Sequence, residues 1–301
     1  MQTQPEMAYQ CVRCGTSLTV PPDGEGSTTC SSCQLEYRYG KNYLKYDSDE
    51  LLFTQFKKKY LLYKVLSNNA YLAYRFVREG SLSYSERQDV SNFRNYILSH
   101  VKGGKILDVG CGILDVPGYL DFSQKGGFEF YGIDPIDDRS FRGVRITGCA
   151  EFMPFADGFF DAVVFATSLD HVCSLEQTVR EAHRVLSQEG KLLLWMSDPS
   201  VSWANRVKDP LLKTLQRLRT TSSRWADISA LTPGESLRVG DCAIYSNLSV
   251  FQIPKGAVDP FHVSHESPLC VVSVMEQANL ILDHLEHRGR NEVFLCFRKG
   301  D

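Results

Sequence analysis

The sequence lacks a long hydrophobic run and an excess of charge of either sign. Its 301 residues carry a formal net charge of −3, which excludes the broad basic field that non-specific nucleic-acid binding needs. No uninterrupted apolar stretch approaches the ~18–20 residues of a membrane-spanning helix. The opening MQTQPEMAYQ lacks the basic and then apolar pattern of a secretory signal. We therefore expect a cytoplasmic protein without a membrane span, long enough for one large domain and one small one.

Cysteine is concentrated near the start of the chain. Four of the ten cysteines form two Cys-x-x-Cys pairs, Cys11 with Cys14 and Cys30 with Cys33. Thiolates three positions apart on a tight turn converge on one metal, so two such pairs predict a four-thiolate zinc site. A redox role would leave the second pair unexplained. We predict a structural zinc ribbon over residues 1–46, since four thiolates leave no position open for catalysis.

Residues 47–102 have helical periodicity. Apolar residues recur at a spacing near 3.6 in DELLFTQFKKKYLLYKVL and again in SYSERQDVSNFRNYILSHV. These patterns predict a helical linker or cap. Its tyrosines either line the mouth of a substrate site or pack onto the next domain; they are Tyr60, Tyr63, Tyr71, Tyr74 and Tyr84.

Strand and helix patterns alternate from Lys105 to Pro199. The apolar runs predict strands near 105–109, 129–133, 144–147, 161–166 and 191–196, and a helix near 174–187. Such alternation is typical of an α/β domain with a doubly wound parallel sheet, which binds its ligand at the carboxyl ends of the strands. We assign residues 103–301 to this domain, with an insertion at about 198–268 that could cover the substrate.

The turn after the first of these strands, in KILDVGCGILDVPGYL, lacks the third glycine of a dinucleotide site. It keeps Gly110 and Gly112, and Asp108 precedes it. A second acid, Asp134, ends the next strand in YGIDP. A carboxylate at that place can accept hydrogen bonds from both hydroxyls of a ribose. The pattern therefore favours a nucleoside-containing cofactor other than a dinucleotide.

Four stretches in order, ILDVGCG, YGIDP, CAEFMPFADGFFDAVVFATSLDHV and EAHRVLSQEGKLLLW, resemble the class I methyltransferases that use S-adenosylmethionine. The similarity is greatest to the branch related to quinone-biosynthesis methyltransferases and covers residues 105–197. The late FLCFRKG is similar to that fold's final strand. The resemblance implies a Rossmann-like, mostly parallel, seven-stranded sheet and methyltransferase activity. The cysteine module resembles zinc ribbons that accompany some methyltransferases.

The resemblance also implies which residues meet the methionine part of the cofactor. Asp108 would hold its amino group, and the turn Gly110–Cys111–Gly112 would hold the rest. Thr167, at the end of the fourth strand, would face the reacting methyl group.

The adenosine part has its own implied contacts. Asp134 would bind the ribose, Pro135 and Ile136 would flank the adenine, and Ala150 and Glu151 would meet the adenine edge. Two alternatives stay open, since Pro135 could merely end the strand and Glu151 could be a solvated acid.

The sequence departs from the family pattern just beyond the turn. Leu114 occupies the position of the last glycine in D-x-G-x-G-x-G, and Pro117 disfavours helix at Val116 but could open one itself. We expect a longer turn and a different pocket there. A similar turn, together with TSLDHV, occurs in methyltransferases that resemble those of bacterial polysaccharide and lipid-glycan clusters, which favours a glycan acceptor.

Methyl transfer to a hydroxyl requires alignment and a base. His171 follows the fourth strand beside Asp170, which could orient an imidazole that titrates near neutral pH. It could instead contact backbone at a helix start. His262 and His265 lie in DPFHVSHES, a loop expected to return to the site, and are further candidates for the base.

Three functions are compatible with these patterns. The first is an O-methyltransferase for a small molecule or glycan, with a structural zinc. The second is a ribosomal or transfer RNA methyltransferase whose ribbon grips RNA; residues 198–225 contain six basic and two acidic residues, which fit an anionic ligand or a solvated helix. The third is a catalytically silent scaffold. The mild acidity of the chain and the few basic residues in the ribbon favour the first.

Overall fold

A ten-stranded sheet organises the computed structural model. The structure describes residues 9–21, 24–79, 87–122, 126–137, 140–198, 225–226, 253–254, 261–288 and 291–300. Most of the insertion predicted at about 198–268, including its basic stretch, lies outside these residues.

The strands in chain order are β1 Tyr9–Gln10, β2 Ser17–Leu18, β3 Gly26–Thr29, β4 Glu36–Gly40, β5 Tyr43–Tyr46, β6 Gly104–Val109, β7 Phe128–Asp134, β8 Val144–Thr147, β9 Phe160–Ala166, β10 Leu186–Ser197, β11 Trp225–Ala226, β12 Ile253–Pro254, β13 Leu280–Arg288 and β14 Glu292–Lys299. The helices are α1 Ser48–Glu79, α2 Gln88–His100, α3 Leu175–Val185 and α4 Pro268–Gln277. All five strands predicted between Lys105 and Pro199 are confirmed, and so is the helix that follows the fourth of them.

The strand order confirms the doubly wound, Rossmann-like architecture. The sheet runs β13-β14-β10-β9-β6-β7-β8-β5-β4-β3. Neighbours from β10 through β5 pair in parallel, whereas β14 pairs antiparallel with both β10 and β13. The order reverses between β6 and β9, and ligands bind beside the carboxyl ends of the strands at such a switch point.

The sheet has three more strands than the seven predicted. The additional strands are β3, β4 and β5 from the cysteine-rich segment, and β5 pairs in parallel with β8 through Tyr43 opposite Arg145. The physical reason is that β8 would otherwise be an edge with unpaired backbone N–H and C=O groups. The strands β3, β4 and β5 thus extend the main sheet, whereas β1 and β2 form a separate two-stranded sheet.

Helices cover both faces of the sheet. On one face, Val90, Phe93 and Ile97 of α2 pack in a core with apolar residues of β6, β9, β10 and β14. The opposite face buries residues of α1, α3 and α4. Helices α1 and α2 lie within the predicted helical range 47–102, with a break in helical geometry at Lys57; residues 80–86 of that range lie outside the described residues.

The chain after the glycine turn does not form the helix that Pro117 could have opened. Pro117 instead precedes a single 3-10 turn, Gly118–Leu120. A glycine directly after the proline disfavours helix because of its backbone entropy, and the Arg94 side chain binds the Gly118 carbonyl at 2.5 and 2.8 Å.

A helix and two antiparallel strands follow late in the sequence, and the second of these strands contains the FLCFRK of the predicted final strand. Ser267 caps α4 through its side chain, and β13 pairs antiparallel with β14. Among the helices of the described residues, none has both the length and the apolar character that a membrane span requires.

Tyr46 joins the N-terminal segment to the rest of the sheet, and a substitution of this residue tests that contact. Its buried hydroxyl accepts the Cys149 N–H at 3.1 Å and donates to the Phe152 carbonyl. We expect Tyr46→Phe to lower the free energy of unfolding by about 1–3 kcal/mol, because both backbone groups lose a partner. Urea unfolding measures this, with the exposed Tyr71→Phe as control. Equal stability of the two variants would contradict the assigned role.

Candidate active site

A cavity opens at the carboxyl ends of β6, β7 and β9, where a doubly wound sheet binds its ligand. Its lining includes the glycine turn, the residues after β7, the segment Cys149–Glu151, the turn after β9, and one side of α1. The α1 residues are Tyr63, Ser67 and Ala70.

The glycine turn has the geometry that its glycines permit. Gly110 and Gly112 have φ angles of 83° and 64°, and the Gly110 N–H donates to the Ile133 carbonyl at 2.8 Å. A Cβ on Gly110 would lie 2.4 Å from the Cβ of Ser168. Only glycine fits there, because the turn after β9 presses directly against it.

Asp134 is held at the cavity by two backbone amides. Its Oδ2 accepts the Gly112 N–H and its Oδ1 accepts the Ile136 N–H, both at 2.9 Å. Each carboxylate oxygen has a further lone pair. The carboxylate is therefore fixed in orientation and still able to accept hydrogen bonds from a diol.

Arg145 is a site residue that the sequence reasoning missed. It is 2% exposed, and its guanidinium donates to the Gly112 carbonyl at 2.8 Å and the Ile136 carbonyl at 2.7 Å. It also contacts the Cys111 sulfur, and its Nη2 lies 3.9 Å from Asp134 Oδ1. One feature of the sequence could have identified Arg145 as buried. It lies between two apolar residues of a central parallel strand, and both faces of such a strand are buried.

Asp108 lies beneath the turn and does not line the cavity. It is fully buried, with the Tyr119 hydroxyl 2.9 and 3.1 Å from its two carboxylate oxygens. Burial raises the pKa of Asp108 to about 7, against the opposing effect of that hydroxyl. Tyr119 is a second residue that sequence reasoning missed.

The remaining adenosine-side candidates line the cavity. Pro135, Ile136, Ala150 and Glu151 all lie on its wall. Glu151 is 1% exposed and accepts the Cys173 N–H at 2.5 Å and the Ser174 N–H at 3.0 Å. The alternative that Glu151 is a solvated acid is therefore wrong; burial raises its pKa.

A second cavity lies on the other side of Gly110. Leu114 and Pro117 line it, together with Tyr119, Thr167 and Trp195. Thr167 has a φ of 56°, an unusual value for a β-branched residue, and its N–H donates to the Trp195 carbonyl at 2.8 Å. Such strain is common at functional sites.

The predicted acid-base residues come together beside the first cavity. His171 lines that cavity, and its Nε2 lies 3.7 Å from Asp170 Oδ1. His262 Nε2 lies 3.5 Å from Asp170 Oδ2, and the ring of His265 is 5.0 Å from that of His262. Burial lowers the pKa of His171, against the opposing charge of Asp170.

The four N-terminal cysteines converge as well. The sulfurs of Cys11 and Cys33 are 3.4 Å apart, and those of Cys14 and Cys30 are 3.5 Å apart. All four lie within 4.8 Å of one another. Tetrahedral Zn²⁺ with Zn–S bonds near 2.3 Å separates its sulfurs by roughly 3.8 Å, so the donor set fits that ion after a slight expansion.

The comparisons with known proteins agree with the motif order. Residues 107–194 match the family Methyltransf_11, a methyltransferase domain. The chain is 28% identical over 119 residues to the ubiquinone/menaquinone biosynthesis C-methyltransferase UbiE of Geotalea uraniireducens, covering 35% of this chain and 51% of that protein. It is 31% identical over 98 residues to UbiE of Bartonella tribocorum, covering 32% and 35%. The chain thus spans about half or less of the length of these curated relatives.

Among solved structures, the chain is similar to the 1,6-didemethyltoxoflavin-N1-methyltransferase of Burkholderia thailandensis, solved with bound 1,6-didemethyltoxoflavin and S-adenosylhomocysteine. The TM-score is 0.48 at 11% identity, covering 77% of this chain and 88% of that one. Residues 107–194 are therefore similar to a methyltransferase domain, and the UbiE relatives that match this part of the chain are, by their names, methyltransferases.

Proposed function

We propose that the protein transfers a methyl group from S-adenosylmethionine to a hydroxyl of a small-molecule or glycan acceptor. The observation that carries this proposal is the adjacency of two features. Asp134 and the glycine turn form one wall of a cavity, and His171 lies on the wall of the same cavity. A nucleoside-binding carboxylate and a proton-accepting cluster are thereby side by side.

The cofactor fits the residues of this cavity. Each carboxylate oxygen of Asp134 accepts one backbone N–H and keeps a second lone pair, which is available to a ribose hydroxyl. Pro135, Ile136 and Ala150 offer apolar surface to the adenine. Asp108 lies behind the turn, where a methionine ammonium above Gly110 would favour its ionised form.

The acceptor hydroxyl would lose its proton at the cluster of Asp170, His171 and His262. In the displacement, the acceptor oxygen attacks the methyl carbon, the bond from carbon to sulfur breaks, and S-adenosylhomocysteine leaves. The protein's part is to align the two reactants and exclude water. The second cavity, with Thr167 and Trp195 on its wall, offers room for the acceptor.

A small-molecule acceptor is favoured over RNA by the ribbon's own charges. Arg13 pairs with Glu50 at 3.0 Å, and Arg38 lies 3.8 Å from Glu36. Each of these cations faces an acid of the same protein, which weakens any phosphate-binding field. The UbiE relatives act, by their names, in quinone biosynthesis and methylate carbon. In this protein, the cluster of Asp170, His171 and His262 is the observation that favours oxygen as the atom that accepts the methyl group.

We further propose that the four N-terminal cysteines form a structural zinc site. Their sulfurs would occupy all four positions of a tetrahedral ion, which leaves none for a substrate. The metal would stabilise a segment whose own buried core is small.

The ribose role of Asp134 predicts a binding defect. We expect Asp134→Ala to weaken S-adenosylhomocysteine binding by about 10²-fold, because two charge-assisted hydrogen bonds are lost. Isothermal titration calorimetry measures this, with the exposed Asp115→Ala as the matched control. Asp134→Asn, whose single amide oxygen can keep only one of the two backbone N–H contacts, should lose at least about tenfold. Unchanged affinity in both Asp134 variants would refute the role, and no binding to wild type would refute the cofactor itself.

The thiolate site predicts the metal content. After dialysis against a chelator, we expect about one tightly held zinc per chain by elemental analysis. Cys30→Ser should lose this zinc and unfold the N-terminal segment, whereas Cys270→Ser, which alters an exposed thiol elsewhere, should keep it. Equal zinc in both variants would show that the four thiols are not the ligands.

Labelled methyl transfer to cell extract tests the acceptor class. The extract is incubated with labelled S-adenosylmethionine and split into RNA, lipid and small-molecule fractions. We expect label in the small-molecule or glycan-containing lipid fraction, and none with Asp134→Ala. Label that appears in RNA would overturn the preferred acceptor, and no transfer to any fraction would favour the silent scaffold.

A further inference from the structure

We propose that Asp170, His171 and His262 bind a divalent transition-metal ion at the edge of the cofactor cavity. This site is separate from the four cysteines. Its ligand atoms all lie within 4.8 Å of one another. The binding itself does not depend on the proposed function; only the role of the ion rests on it.

The hydrogen bond of His171 leaves one ring nitrogen for a cation. Its Nδ1 lies 3.1 Å from the Phe261 carbonyl, and a carbonyl oxygen only accepts, so Nδ1 carries the proton. In the neutral ring, the lone pair is then on Nε2. That atom faces Asp170 Oδ1 across 3.7 Å, too far for a hydrogen bond. Two electron-rich atoms face each other, and a cation between them removes their repulsion.

Asp170 occupies the centre of the cluster. Its Oδ1 faces His171, and its Oδ2 lies 3.5 Å from His262 Nε2. Oδ1 is buried and has no hydrogen-bond partner within the part of the chain that the structure describes. A tetrahedral ion with nitrogen and oxygen ligands near 2.0–2.2 Å separates them by roughly 3.3–3.6 Å. The 3.5 Å separation lies within that range and the 3.7 Å separation just beyond it, each to a different oxygen of Asp170. A rotation of the carboxylate would therefore be needed to bring one oxygen to both histidines.

Backbone contacts hold the two halves of the cluster together. The Asp170 carbonyl accepts the N–H groups of Val263 and Ser264 at 2.9 and 3.2 Å. The rings of His171 and His262 lie 4.8 Å apart between centroids. The Phe261 carbonyl orients His171 as the outer partner of a metal-bound histidine usually does. The ligands are thus brought together by the fold before any ion binds.

The donor set is that of an open metal site. Two imidazoles and one carboxylate leave at least one position for water or substrate, as in catalytic zinc and non-haem iron centres. His171 places that position beside the cofactor cavity. With the ion bound, the three side chains would act as its ligands and no longer as the proton acceptor. A hydroxyl oxygen bound to the ion would release its proton to water more readily, because the metal lowers its pKa. The resulting alkoxide would then attack the methyl carbon as described above.

Titration with Co²⁺ tests the site without relying on activity. The protein is first dialysed against a chelator under conditions that leave the thiolate zinc in place. We expect wild type to bind about one further equivalent of Co²⁺, with the weak absorption of nitrogen and oxygen ligands and without sulfur-to-cobalt charge transfer. Calorimetry should show affinity lowered by at least about tenfold in His262→Ala and in Asp170→Asn.

His287→Ala is the matched control, because it removes an exposed imidazole on β13. Circular dichroism and S-adenosylhomocysteine binding establish that each variant is folded. No Co²⁺ uptake by wild type beyond the thiolate site, or uptake by His262→Ala equal to wild type, would refute the proposal. Metal binding without methyl transfer to any acceptor would uphold this site while rejecting the proposed function, and the reverse result would do the opposite.

Discussion

A buried guanidinium beneath the glycine turn is the interaction on which the site depends. Arg145 donates to the carbonyls of Gly112 and Ile136, while Asp134 accepts the N–H groups of the same two residues. Cation, carboxylate and two backbone segments form a closed polar ring. Burying one charge alone would cost several kcal/mol, so neither side chain can be removed without leaving the other uncompensated. The ring fixes the two loops relative to each other and aims the carboxylate at the cavity.

The parts of this arrangement that sequence predicted depend on local patterns. The strands carrying Asp108 and Asp134 each end in a stretch of buried residues, the expected form of parallel strands covered on both faces. Gly110 was predictable because a tight turn at a strand end needs positive φ. The sequence predicted that the loop with His262 would return to the site. It could not predict how close His262 and His171 would lie.

The parts that it missed depend on contacts between distant segments. Arginine in a strand usually indicates a solvated position. The sequence therefore did not predict that the Arg145 guanidinium binds two backbone carbonyls. Glu151 is buried for a similar reason, since the N–H groups of Cys173 and Ser174 substitute for water. The pairing of β5 with β8 uses only main-chain groups, which leave no mark in the amino-acid pattern.

That pairing places the cysteine-rich segment behind the wall of the cavity. The Arg145 N–H donates to the Asn42 carbonyl at 2.8 Å, directly before β5. At the end of β5, Tyr46 bonds to both sides of the segment that contains Ala150 and Glu151. A tetrahedral ion on the four sulfurs would therefore order a segment whose last strand supports two walls of the cavity. Loss of that ion would loosen the wall from behind without altering any residue that lines the cavity, because the connection runs through backbone pairing and one buried hydroxyl.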